Sequence, residues 1–508
     1  MIIVTKRPER NHADNNSIEC KWNCARQPIL FELHRQDLQL ISVNAGLPGT
    51  TVLKTVYDPA IVGGISVGDY LYFESSIDPV TNVAGHYGVK ARVTYIASGA
   101  PNYYHIYVDY TAEVPSTNGG YINILTRENY YSVVTVYITD KTTDVVHPVL
   151  VKLKPGVDGR MRLDTSEFIT AYLSKTLRSI SAINERDNTA FGDYYLTYSE
   201  RWAGSSNTEV IDGGGTYYFV DAAKKLLSMY GQNMMDYLTI DTDIPHYAKF
   251  LTDFDSPTYW VGYPFDLSFI YGESLSGIAI TREVEQFQSG GVAGTVLSSS
   301  IQQGRNVGTV NRICMPSLTS GTKYVDFYLK ANSIPQVSYY ENYYHASGYH
   351  ETQPPSPASL SPYRMTEKKR IKIEESCGRN PVYLRWRNSK GGWDAWLFEG
   401  NQTINFDTKQ GQEFEQEPDE ISTGVSRSIT IDSAQLEKVT CGSIVLKEDV
   451  AGIAGIEASP AVYMLVGTSP DQWLRVKITP RGFSYQTKGA TAEVQVQFVK
   501  YDHYTIPN

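Results

Sequence analysis

The feature that most constrains this chain is a two-residue period of apolar side chains, repeated in short runs along its length. Tyr104, Ile106 and Val108 alternate with His105, Tyr107 and Asp109. Leu474, Val476 and Ile478 alternate with Trp473, Arg475 and Lys477, and Val494, Val496 and Phe498 with Glu493, Gln495 and Gln497. Successive side chains of a strand point to opposite faces, so such runs fold as strands with two different faces. Turn residues separate the runs, as at Asn44-Ala45-Gly46, Gly63-Gly64, Pro101-Asn102 and Asn118-Gly119-Gly120. The pattern predicts a mainly β, multi-domain chain of sandwich- or barrel-like modules with a few short helices. Tyrosine outnumbers phenylalanine by 38 to 16, which suits pleated faces whose rings are buried and whose hydroxyls stay wet.

Three helices are predicted. One follows Leu163-Asp164-Thr165-Ser166-Glu167, where Phe168, Ile169, Tyr172, Leu173 and Leu177 recur at helical spacing. A second runs from about Asp221 to Tyr230, with Gly231 to end it, and a third, short one starts at Asp432, where Gln435 completes a capping box. The 508 residues divide by composition into an N-terminal β domain (1–160), a mixed segment with two helices (161–258), a β-rich segment (259–336), a Tyr/Pro-rich arm or linker (337–375) and a C-terminal β domain (376–508). In the arm, Pro354, Pro355, Pro357 and Pro362 remove backbone donors and favour extended chain. Tyr339, Tyr340, Tyr343, Tyr344 and Tyr349 make it aromatic, so it reads either as a contact arm for a neighbouring subunit or as a tether.

The stretch YLRWRNSKGGWDAW, residues 383–396, is the most distinctive. Residues 382–387 and 393–398 read as two strands joined by Asn388-Ser389-Lys390-Gly391-Gly392, whose glycines permit a tight reversal. If Arg387 faces Trp393, Leu384 faces Trp396 and Val382 faces Phe398, giving one apolar face closed by Trp386. Arg385 and Arg387 then lie beside Ala395 and Trp393 on the other face, where a guanidinium can stack on an indole. The hairpin is therefore a packed corner, or, in the alternative, a glycan platform with Trp393 open and Asp394 bonding sugar hydroxyls.

Signatures of catalysis are missing. Gly321-Thr322-Lys323 lacks the upstream glycine of a phosphate loop, and Gly272–Gly277 closes one residue too late for a nucleophile elbow. His345 and His350 are five apart with Ala346 after the first, unlike a zinc-protease helix. Asp212-Gly213-Gly214-Gly215 reads as a loop rather than a calcium site. Cys20 and Cys24 lack the further ligands zinc requires, and five scattered cysteines make no disulfide framework. No enzyme activity, metal or cofactor is expected. The net charge of −10 and the lack of a basic stripe argue against direct nucleic-acid binding; Lys368-Lys369-Arg370 reads as a solvated face. No run is long and apolar enough to suggest membrane insertion or a signal peptide.

LRWRNSKGGWDAWLF (384–398) resembles an element of tail and baseplate-type virion proteins of tailed bacteriophages that infect Bacteroidota. PILFELHRQD (28–37), YYLTYSERW (194–202) and ITPRGFSYQTKGATAEVQVQFV (478–499) are similar in kind. The resemblance implies a non-enzymatic structural subunit of a tail ring, hub or baseplate, made in the host cytoplasm and carried in the virion. It implies a cyclic homo-oligomer that contacts other tail proteins and carries over no catalytic residue. The alternatives are a receptor-binding tail protein whose partner is a host-surface glycan, and a polysaccharide hydrolase.

Overall fold

The computed structural model describes residues 2–7, 21–35, 38–45, 51–56, 65, 67–73, 90–98, 103–109, 121–124, 129–156, 159–173, 176–177, 183–202, 205–206, 209–222, 234–239, 247–272, 275, 279–301, 308–331, 363–376, 380–409, 412–416, 427–431, 434–468 and 471–500. The chain is mainly β. It groups into two compact units: Met1–Tyr172 with Gly192–Phe219, and Leu173–Phe191 with Val220–Asn508.

In the first unit, six strands (Leu38–Ala45, Thr51–Val56, Tyr103–Val108, Lys90–Ser98, Tyr70–Phe73 and Tyr121–Ile124) close into a barrel. A three-stranded sheet has Leu30–Arg35 between Ile2–Lys6 and Arg160–Asp164. A larger sheet runs in the order Val145–Leu153, Tyr131–Asp140, Phe191–Trp202, Tyr217–Val220, Trp22–Cys24. Phe31 from the small sheet meets Tyr194 and Tyr217 of the large one edge-to-face, at 6.3 and 5.3 Å between ring centres. Gly192 is required there, because a Cβ would come within 2.2 Å of the Phe219 ring.

In the second unit, a four-stranded sheet (Asn184–Arg186, Thr309–Cys314, Asp266–Tyr271, Leu238–Thr239) shares a core with a six-stranded one. The latter runs Thr258–Trp260, Lys369–Glu374, Thr322–Ala331, Ile280–Gln288, Ala293–Ser300, with Tyr363–Arg364 beside Thr322–Ala331. Phe250, Phe269, Ile313 and Phe327 lie at the centre of that core. A seven-stranded sheet follows in the order Trp393–Phe398, Val382–Arg387, Val462–Thr468, Asp471–Lys488, Thr491–Lys500, Ala434–Leu446, Thr403–Lys409. The helix Lys447–Ala458 packs Ile453 and Ile456 into its core beside Trp386, Trp396 and Phe498.

The helices depart from the sequence reading. The first is a single α turn, Ser166–Ile169, continued as a 3-10 turn to Tyr172. Asp164 rather than Thr165 serves its start, accepting from the Ser166 amide at 2.9 Å. Most of the second predicted helix, residues 223–230, lies outside the described residues; Asp221 and Ala222 are not helical. The third is a strand: Ala434–Leu436 belong to Ala434–Leu446, which pairs with strands on both sides and buries Val439, Cys441 and Val445 alternately. Two-sided sheet pairing outweighs one capping box. The helix at Lys447–Ala458 was hidden by its glycines, which lower helix propensity. Gly452 is there for closeness, since a Cβ would fall 2.6 Å from the Phe254 ring.

Candidate functional site

The residues singled out by sequence meet other chemistry-bearing side chains at one corner of the second unit. In the hairpin, Arg387 lies opposite Trp393, Leu384 opposite Trp396 and Val382 opposite Phe398, the register the alternation implied. Gly391 reverses the chain at φ 87°, in the left-handed region. Asn388 organises the turn: its Oδ1 accepts from the Lys390 and Gly392 amides at 3.0 and 2.9 Å, and its Nδ2 donates to the Leu251 carbonyl at 2.8 Å. Gly392 lies so close to that carbonyl that a Cβ would stand 2.0 Å from the Leu251 oxygen.

One face of the hairpin is apolar. Phe254 stacks on Trp396 with ring centres 5.7 Å apart, and Trp260 meets Trp396 edge-on at 4.9 Å. Trp386, Leu384, Val382 and Phe398 complete this face, all buried. The other face carries charge. The Arg387 guanidinium lies 4.1 Å from the centre of the Trp393 ring. It donates to Asp187 at 3.2 Å, to Thr189 Oγ1 at 2.7 Å and to the Gly391 carbonyl at 3.0 Å, and its Nε lies 3.8 Å from Asp221. Trp393 Nε1 also donates to Asp187, at 2.9 Å. Arg385 pairs with Asp266, which in turn accepts two bonds from Arg312, at 3.0 and 2.7 Å. Three guanidiniums thus face three carboxylates, with every one of these side chains buried.

Their electrostatics follow from that pairing. Burial opposes ionisation of Asp266, yet Arg312 and Arg385 outweigh it and bring its pKa down to about 2. Burial opposes ionisation of Asp187 as well, and the charges of Arg387 and Arg312 again prevail and lower its pKa. Asp394 behaves oppositely. Burial, reinforced by the nearby Asp253 charge, pushes its pKa up to about 7. Its two oxygens accept from Thr252 Oγ1 at 2.6 Å and from the Asp253 amide at 2.9 Å. Asp253 in turn accepts from the Ser389 amide and hydroxyl, at 2.9 and 2.6 Å, so the 252–253 segment is stitched to the turn.

The glycan-platform alternative for Trp393 and Asp394 requires an open indole and an available carboxylate. Trp393 is 3% exposed and Asp394 4%, and both are engaged with the protein. Stacking under Arg387 and the bond to Asp187 use the surfaces a sugar would need. The adjoining cavity, lined by Thr252, Asp266, Arg385 and Asp394 among others, has a volume of about 10 Å³, room for one water-sized molecule. Both oxygens of Asp394 are engaged, with Thr252 and with the Asp253 amide.

Elsewhere, the arm residues Tyr339, Tyr340, Tyr343, Tyr344, Tyr349, Pro354, Pro355 and Pro357 lie outside the described residues. Asp212 accepts from Arg7 at 2.7 Å and from the Tyr217 hydroxyl at 2.7 Å, which occupies it structurally. The Lys368-Lys369-Arg370 cluster is ion-paired rather than simply solvated: Lys368 with Glu285, Lys369 with Glu367 and Arg370 with Asp326. Among the described residues no group of three His, Cys, Asp or Glu is placed to hold a metal.

Sequence reading missed Asp187, Asp221, Asp266 and Arg312, although a signal existed. Asp266 opens the run DLSFIY, and Arg312 interrupts TVNRIC. A charge inside an apolar strand needs a buried partner of opposite sign. No known family model and no curated protein matches the chain.

Proposed function

We propose that this chain is a non-enzymatic structural subunit of a phage tail, a ring, hub or baseplate-like component that assembles as a cyclic homo-oligomer and contacts other tail proteins in the virion. The observation that carries the reading is the fate of the chemistry-bearing groups at the hairpin. Asp187, Asp266 and Asp394 are turned inward and bonded to the protein, and the adjoining cavity admits no substrate. Charges matched in this way suit a wall better than a site of turnover, which supports the structural reading. The resemblance of residues 384–398 to an element of tail and baseplate-type proteins supports the same reading, as does the surplus of tyrosine, which is enriched where proteins meet.

Light scattering of the purified chain and of a variant lacking residues 352–362 tests the proposal. A multimer of several copies is expected from the full chain, and a folded protein with impaired assembly from the deletion. A single chain at every concentration, or turnover of a polysaccharide by the full-length protein, overturns it.

A further inference from the structure

Every open sheet edge invites another strand, and proteins guard against this with closure, short strands, proline or charge. Most edges among the described residues are guarded. The six-stranded barrel has none. Trp22–Cys24, Asn184–Arg186, Leu238–Thr239 and Thr258–Trp260 are three residues long or fewer. Val145–Leu153 contains Pro148 and Lys152, Arg160–Asp164 carries Arg160 and Arg162, Thr403–Lys409 carries Asp407 and Lys409, and Ile2–Lys6 is bulged and ends in lysine. Trp393–Phe398 is held at Asp394 by residues 252–253.

Ala293–Ser300 has none of these guards. It is eight residues long and ends its sheet, with a partner on the Ile280–Gln288 side alone among the described residues. The run SGGVAGTVLSSSI, residues 289–301, contains neither charge nor proline. Val292 is 63% exposed and Val296 50%. A bulge sets Gly294 and Thr295 against Gln286 and leaves Val296–Ser300 in regular pairing.

We infer that this edge pairs with the same strand of a second copy, antiparallel across a two-fold axis. What fits an open row of backbone donors and acceptors is another strand. Charge selects the partner. Each copy carries a net charge of −10, so copies repel in general and meet best on a neutral strip. In an antiparallel pair about a two-fold axis the central residue faces its own counterpart, so a charge at or beside the centre would meet its like. This strand carries none. The regular run is short, and its contact falls well below the roughly 1,200 Å² of a stable isolated interface. It therefore strengthens an assembly held by other contacts, joining two rings face to face. The pairing goes beyond the proposed function, since it does not depend on the assembly being a phage tail.

Cysteines placed one at a time at Val296, Leu297, Ser298 and Ser299 test it in the full chain under mild oxidation, with Leu150→Cys on the proline-bearing edge as the comparison. A two-fold antiparallel pair has one centre, so disulfide-linked dimer should peak at one position, about tenfold above Leu150→Cys, and fall on either side. Uniform yields at the Leu150→Cys level overturn the inference, including the case in which another part of the same chain, or a different protein, covers the edge. Native mass is measured alongside. A multimer without the peak leaves the assembly reading standing and removes this one, whereas a peak from a chain otherwise single in solution does the reverse.

Discussion

Two antiparallel hairpins of the second unit make an instructive contrast. The tryptophan hairpin, Val382–Phe398, buries both strands, and charge on one face is matched residue for residue by distant segments. The hairpin Ile280–Ser300 buries its first strand and leaves the second, an uncharged one, largely open. Charge has opposite meanings in the two. Inside the first it specifies partners, because an unmatched buried ion is costly. Its absence from the second withholds the usual protection of an edge.

The contrast breaks most severely at Arg387. Replacing it with methionine takes from Asp187 the cation it is bonded to and from Asp221 the guanidinium 3.8 Å away, and chemical denaturation should register a loss of about 3–5 kcal/mol. A loss under 1 kcal/mol would show that the corner does not depend on its ion pairs. Next comes pH. The folded-state pKa of Asp394 lies near 7, above its ordinary value of 3.8. Between about 4 and 7 the folded chain keeps a proton that the unfolded chain has released, so stability falls as pH rises through that window. Asp394→Asn should remove about 2–4 kcal/mol of that decline, read as the difference between the two stability–pH curves. Parallel curves would dismiss the assignment.

The two indoles sharpen the comparison within the hairpin itself. Trp393→Phe gives up the bond to Asp187 and part of the surface beneath Arg387, and should cost about 2–3 kcal/mol. Trp396 Nε1 has no hydrogen-bond partner among the described residues, so Trp396→Phe should cost about 1 kcal/mol. Equal losses in thermal melts would mean that area alone governs the corner. Smallest is the edge strand: Val296→Lys should alter the stability of the single chain by no more than about 0.5 kcal/mol, since the side chain stands half in solvent.

Local structure was readable where local rules decide it. Alternation and the paired glycines gave the hairpin its register, and the stack of Arg387 on Trp393 followed from that register. What the hairpin binds was not readable, because Asp187 lies 200 residues from Arg387 and Thr252 lies 142 from Asp394. No spacing rule reaches that far. The strand at Ala434–Leu446 and the helix at Lys447–Ala458 went astray for a related reason: partners elsewhere in the chain overrode local propensity.

The chain leaves the first unit after Tyr172, contributes Asn184–Arg186 to the second, then returns to lay Phe191–Trp202 through the middle of the first unit's larger sheet. A fragment ending at residue 172 would therefore lack its own central strand. During synthesis, Asp187 emerges 200 residues before the arginine that neutralises it, a wait of roughly ten to forty seconds at ordinary ribosome speeds. Nascent protein must pass through that interval with the carboxylate already made and the arginine that it bonds not yet translated.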